Sequence, residues 1–284
     1  MAKVKIVTDS TADLPKTLAD ELDITVVPLK VLFGEETFED GITITADEFY
    51  KKLASTSIIP STSQPTPYQF EEVYKEVASE EETHIISIHL SSKLSGTFQS
   101  ASIARDIIKD EIDVTVVDSK RASYAIGIIV VEIAKLAKAG ATKEECLARL
   151  DVLLQRTRVY FMVDTLEFLQ KNGRIGKASA VLGSLLKIKP ILSLNEDGEV
   201  FPFDKVRGQK KALAKIYEFI EKEYGTDELH VGISHANANE FASEVMTEIK
   251  GRFHVSSEVI TDIGPVIGAH VGPGTIAISV TIAK

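Results

Sequence analysis

The 284-residue chain reads as an α/β protein of two units: an N-terminal parallel sheet covered by helices, and a C-terminal mixed sheet with helices of its own. Three observations predict this. Short runs rich in valine and isoleucine alternate with helical patterns over the first 160 residues, the rhythm of strand, crossover helix and strand in a parallel sheet. Beyond residue 160 the rhythm changes and a hairpin signal enters, with Asp197-Gly198 at its turn. The chain is long enough for two ordinary domains, and 44% hydrophobic with 26% charged residues suits globular cores. The expected division is therefore 1–160 and 161–284.

Element by element, "VKIVTDS" is a strand running into a turn. Pro15 to Leu22 is a short helix, with Asp13 as its candidate cap. "ITVVPLKVLFG" is extended and interrupted by Pro28. "TADEFYKKLA" is a helix capped at Thr45. A proline-rich loop, "IPSTSQPTPYQF", leads into a helix from Pro67 to Ala78. "HIISIHL" is a buried strand, Ser95 to Ile108 a helix and "DVTVVDS" a strand. Helices follow at Ser123 to Lys138 and Thr142 to Arg156. After "VYFMVDTLEFL" come the hairpin "KPILSLNEDGEVFPFDKV", a helix at Gly208 to Tyr224 and the strand "ELHVGIS". A helix at Asn239 to Lys250 and strands near Val255 and Ala277 close the chain.

Composition narrows the function. A net charge of −10 argues against a protein that tracks nucleic-acid phosphates, which needs a basic face. The single cysteine, Cys146, forms no intramolecular disulfide and sits on the leucine face of its helix, so it reads as a core residue in a reducing compartment. The start shows no signal-peptide pattern, and a cytoplasmic location is expected. Ile263 to Ala283 carries no Asp, Glu, Lys or Arg and has the length of a membrane span. Its glycines, prolines and β-branched end instead predict a buried loop and a core strand, without stable membrane insertion.

Catalytic signatures are scarce. "GRIGKAS" lacks a phosphate loop's leading glycine and following Ser or Thr, with Lys171 and Ala178 in those places. The six histidines show no metal-ligand spacing, so no cofactor or metal is expected. "VGISHA" approximates a nucleophile elbow at Ser234. With Asp262 and His270 following, a serine hydrolase is the rival reading. The chain, however, closes with a strand where that fold expects a helix.

Three loops share an anion-binding chemistry. "PSTSQPTP" offers Ser61, Thr62 and Ser63. "HLSSKLSGTFQS" follows a buried strand, and its Ser95, Gly96 and Thr97 open a helix whose free N–H groups favour an anion. "IGAHVGPGT" sets His270 among glycines that would let backbone approach a ligand. In a parallel sheet, loops at the carboxyl ends of strands line the ligand crevice.

The chain carries "VTDSTADLP" at Val7 to Pro15, "STSQPTP" at Ser61 to Pro67 and "LSGTFQSA" at Leu94 to Ala101. "LEFLQKNGRIG" follows at Leu166 to Gly176, "KPIL…DG" from Lys189 and "IGAHVGPG" at Ile267 to Gly274. In this order, over nearly the full length, these motifs resemble the DegV family of fatty-acid-binding proteins. The resemblance implies a ligand tunnel between two α/β domains, holding one long-chain fatty acid. It implies a carboxylate held by Thr62, Ser95 and His270, with Ser63 and Gly96 in the same loops. Phe98 stands where such proteins often have tyrosine. It also implies a carrier that presents the acid to a separate fatty acid kinase subunit for acyl-phosphate formation. Arg174 and Arg207 would then face the partner or the phosphate, as arginine engages phosphate through paired hydrogen bonds. A carrier of another amphiphilic acid, without a kinase partner, is the remaining alternative.

Overall fold

The computed structural model of the protein describes residues 3–78, 83–184, 189–206 and 208–284. In chain order the first half runs β1 (Lys3–Asp9), α1 (Lys16–Glu21), β2 (Ile24–Val27), β3 (Lys30–Phe33), β4 (Glu36–Glu39), α2 (Ala46–Ala54), β5 (Ser61–Ser63), α3 (Pro67–Val77), β6 (Thr83–His89), α4 (Thr97–Ile108) and β7 (Asp113–Asp118). Two longer helices follow, α5 (Tyr124–Lys138) and α6 (Lys143–Arg156). The second half runs β8 (Arg158–Met162), α7 (Glu167–Lys171), β9 (Lys189–Leu194), β10 (Val200–Val206), α8 (Gln209–Tyr224), β11 (Leu229–His235), α9 (Asn239–Lys250), β12 (Val255–Asp262), α10 (Pro265–Val271) and β13 (Ile276–Ile282).

The first sheet has the order β2-β1-β6-β7 and every pair in it is parallel, as the strand–helix alternation predicts. The second has the order β10-β9-β8-β13-β11-β12; only β11 and β12 pair in parallel. It begins at Arg158. The α5 helix lies between the sheets and contacts β1 and β6 on one side, β11 and β13 on the other. Its sequence explains the position. "YAIGIIVV" is apolar all round, so no face of its first two turns prefers water, and such a helix is stable only when buried on all sides. One hydrophobic cluster accordingly runs from Ile6 and Ile86 through Ile126 and Ile129 to Val159 and Ala277.

Several local expectations change. Pro28 does more than interrupt a strand: β2 joins the parallel sheet, while β3 turns into a small antiparallel sheet, β4-β3-β5. A proline lacks the N–H a continuous strand would need. The strand β5 comes from the loop "PSTSQPTP", with Thr62 opposite Val31. Thr66 and Pro67 of that loop serve the next helix. Thr66 and Gln69 form a capping box, and Pro67 takes the first helical position, where its missing N–H costs nothing. Asp13 does not cap α1, whose N-cap is Pro15; its side chain reaches Gly264 instead. Ile263 to Ala283 is no loop plus strand but a short helix, α10, and then β13. Pro265 starts that helix, and Gly272 ends it at φ 75°. Among the described residues no helix is long and apolar enough to cross a membrane. Cys146 is buried on α6, as its leucine neighbours predict.

Candidate ligand-binding site

Two elements missing from a sequence reading bring the site together. The β5 strand fixes Thr62 against β3, and α10 carries His270 in its last turn. The helix packs on α2, β3, β5 and α7. Across 208 positions of sequence, Thr62 Oγ1 lies 2.8 Å from His270 Nε2. Gly268 serves this packing. A Cβ on Gly268 would stand 2.7 Å from the Tyr50 hydroxyl and 2.8 Å from Phe49 Cε1, so only glycine lets α10 lie against α2.

Ser95 and Arg174 come from two further loops. Ser95 precedes α4 rather than opening it; Gly96 is the N-cap and Thr97 the first helical residue. The Ser95 and Thr97 hydroxyls are 2.9 Å apart. Gly96 does not line the cavity. The Gln64 amide packs against it, where a Cβ would lie 2.8 Å from Nε2, so glycine here fastens the first loop to the second. Ser63 is also absent from the lining; neighbouring strand residues face opposite ways, and Thr62 takes the inward position. Arg174 follows α7, donates from Nε to the Leu94 carbonyl at 3.1 Å and from Nη1 to the Asn172 carbonyl at 2.6 Å. Asn172 in turn donates to the Ala269 carbonyl at 2.9 Å, tying the Arg174 loop to α10. Arg207 lies outside the described residues.

Thr62, Ser95, Arg174 and His270 all line one cavity. Most of its other walls are aliphatic or aromatic, among them Leu29, Leu90, Val159, Phe161, Leu194 and Ala277. The cavity is therefore mainly apolar, with Thr62, Ser95, Arg174 and His270 among its polar groups. Burial, and then the nearby Arg174 charge, push the His270 pKa down to about 4, so the ring is neutral at neutral pH. Its Nδ1 is buried without a hydrogen-bond partner. With the proton on Nε2, His270 donates to Thr62 Oγ1 and leaves the Thr62 hydroxyl free to donate to an incoming acceptor. Two hydroxyls, one neutral imidazole and one guanidinium form a donor-rich cluster that suits a carboxylate.

The hydrolase constellation is not assembled. Ser234 is the penultimate residue of β11, wholly buried, with its hydroxyl 2.8 Å from that of Ser123. A nucleophile elbow needs the serine on a turn that lifts it clear of the sheet. The Asp262 side chain is 63% exposed and pairs with His235 at 3.5 Å. A different Ser–His–Asp chain does exist. Ser87 Oγ is 2.6 Å from His89 Nε2, and His89 Nδ1 is 2.9 Å from Asp9 Oδ2. The Tyr74 hydroxyl donates to Ser87 at 2.9 Å. All four residues are fully buried and none lines a described cavity, so the chain pins β1, β6 and α3 together. Its sequence signal is faint: Ser87 and His89 share a strand face at spacing two.

A family model described as "Uncharacterised protein, DegV family" matches residues 3–283. A DegV domain-containing protein of Halalkalibacterium halodurans is 41% identical over 285 residues, covering 100% of both chains. Protein DegV of Bacillus subtilis is 37% identical over 277 residues, covering 97% of this chain and 98% of its own. Among solved structures, a fatty-acid-binding DegV family protein from Thermus thermophilus superposes with a TM-score of 0.92 at 36% identity, covering 99% of each chain. A stearic-acid-binding protein from Eubacterium ventriosum superposes with a TM-score of 0.89 at 28% identity, covering 99% of this chain and 98% of its own.

Proposed function

The chain belongs to the DegV family, and from that premise and the geometry above we propose that it binds one long-chain fatty acid. Thr62, Ser95 and His270 hold the carboxylate, and the acyl chain lies in the cavity. One observation carries the reading: donor groups of Thr62, Ser95, Arg174 and His270 line a mainly apolar cavity. The relatives described as binding fatty acid or stearic acid support it. The energetics agree. Each buried methylene contributes about 0.8 kcal/mol, so some fourteen give roughly 11 kcal/mol gross. Hydrogen bonds to the head add about 1 to 3 kcal/mol each when charge-assisted. The tail retains the ligand and the head orients it.

The finer reading is a cytoplasmic carrier that presents the carboxylate to a fatty acid kinase subunit. There a carboxylate oxygen attacks the terminal phosphorus of a nucleoside triphosphate, giving the acyl phosphate and the diphosphate. Arg174, beside the head-group cluster, and Arg207 would face the phosphate or the partner. Organic extraction of the purified protein followed by mass spectrometry tests the binding. A C14 to C18 acid at near one per chain is expected. A protein that holds no acid and takes up none from detergent would overturn the reading, and a different amphiphile would replace the ligand class.

A further inference from the structure

The first turn of α10 is held by two carboxylates from distant parts of the chain. Asp13 follows β1 with φ 48°, and its Oδ1 accepts from the Gly264 N–H at 2.9 Å. Its Oδ2 accepts from the Ser123 hydroxyl, and its carbonyl accepts from the Thr261 hydroxyl at 3.0 Å. Asp40 follows β4 and interacts with the Val266 N–H and the Ser10 hydroxyl. Gly264 sits between the two acids with no room for a side chain. A Cβ there would lie 2.9 Å from Asp13 Oδ1 and 3.2 Å from Asp40 Oδ1. The Tyr50 hydroxyl completes the clamp by donating to the Ile263 carbonyl at 3.0 Å.

Both acids are nearly closed to solvent, at 6% and 5% exposure, and Asp40 Oδ2 has no hydrogen-bond partner. Side by side in the interior, two acids are costly. A turn that needed only a cap would be served by serine, threonine or asparagine at less cost. Neither acid lines the cavity with Thr62 and His270. They border a second cavity across the first turn of α10, where Asp262, Lys16 and Asp20 also lie; Asp9 and Tyr50 face the pair from β1 and α2. A seven-residue helix rises about 1.5 Å per residue, so the clamp and His270 sit at opposite ends of one rigid rod on the order of 10 Å long.

We propose that Asp13 and Asp40 are positioning residues of the head-group site. By holding the first turn of α10 they set where His270 meets Thr62, and so how strongly the protein prefers a carboxylate to a neutral head. This rests on the fatty-acid reading above. It also gives a role to Asp13 in the motif "VTDSTADLP", which the head-group contacts leave unexplained.

The test uses full-length, delipidated protein and displacement of a fluorescent acyl probe by palmitic acid or hexadecanol. Wild type should prefer the acid by at least about tenfold. Asp13→Ala should cut that preference at least fivefold while alcohol affinity stays within twofold. The gain per methylene across C12, C14 and C16 acids, about fourfold, should be unchanged. Asp13→Asn keeps an oxygen for the Gly264 N–H and should restore the preference to within threefold of wild type. Asp40→Ala carries the same expectation and decides the matter if Asp13→Ala does not fold. Equal losses for acid and alcohol, or an unchanged preference, would overturn the positioning role while leaving the ligand assignment intact. A wild type without preference would overturn the head-group assignment itself, and the positioning role with it.

Discussion

Replacing Asp40 by asparagine should remove a loss of stability that the protein otherwise suffers as pH rises. The carboxyl is raised from the ordinary 3.8 to about 7, chiefly by burial; the Ser10 hydroxyl and the Val266 N–H oppose the rise, and Asp9 adds to it. A raised acid binds more protons folded than unfolded between those two values. Stability therefore falls as pH climbs from about 4 to about 7 and is flat above, where the folded protein carries the charge. Between pH 5 and pH 8 the acid loses about two pKa units' worth of stability, and at ~1.36 kcal/mol per unit this is about 3 kcal/mol. Asparagine has the same shape and no titration. Asp40→Asn should thus gain about 3 kcal/mol on wild type between pH 5 and pH 8, whatever its constant cost in hydrogen bonding. Urea unfolding at pH 5, 6.5 and 8, with both proteins in one buffer series, measures that difference directly. A stability gap independent of pH would refute the argument, because it would place the Asp40 carboxyl in its ordinary range.

Three further outcomes follow from the site. Thr62→Ala and Ser95→Ala should each weaken acid binding about five- to tenfold, one charge-assisted hydrogen bond, with unfolding midpoints near wild type in the same urea titration; wild-type affinity in both would remove them from the head-group site. Arg174→Ala should raise the His270 pKa, since the guanidinium is one cause of its depression, while burial keeps it below 6.5; a histidine NMR titration reads the shift, and a parallel assay with a kinase partner should show reduced acyl-phosphate formation. Gly268→Val would drive its side chain into Phe49 and the Tyr50 hydroxyl, displacing α10, and should cost about 1 to 3 kcal/mol on denaturation and most of the acid affinity.

What the sequence makes legible, and what it hides, follows from the range of the interactions. The parallel sheet could be read because each strand and helix carries its own period. The capping boxes at Thr45, Thr66 and Thr142 each lie within four residues. The cluster of Thr62, Ser95 and His270 could be anticipated because three loops shared one chemistry and one family pattern. What makes it a cluster could not. Thr62 is placed by β5, whose three residues have no strand period and form a strand only because Val31 lies opposite. His270 is placed by α10, too short to show a helical period and held at its start by Asp13, some 251 positions away. Read locally, Asp13 and the glycines of "IGAHVGPG" have ready explanations, a helix cap and an approach for ligand. The first fails and the second leaves Gly268 unexplained, because the partner is another part of the same chain. Glycine at 264 and 268 is demanded by the carboxylates and the aromatic rings packed on α10, and those neighbours are fixed only once both sheets have closed on α5. The polar residues that line the cavity are thus the legible part of the site, and the residues that hold α10 in place are the part only the fold reveals.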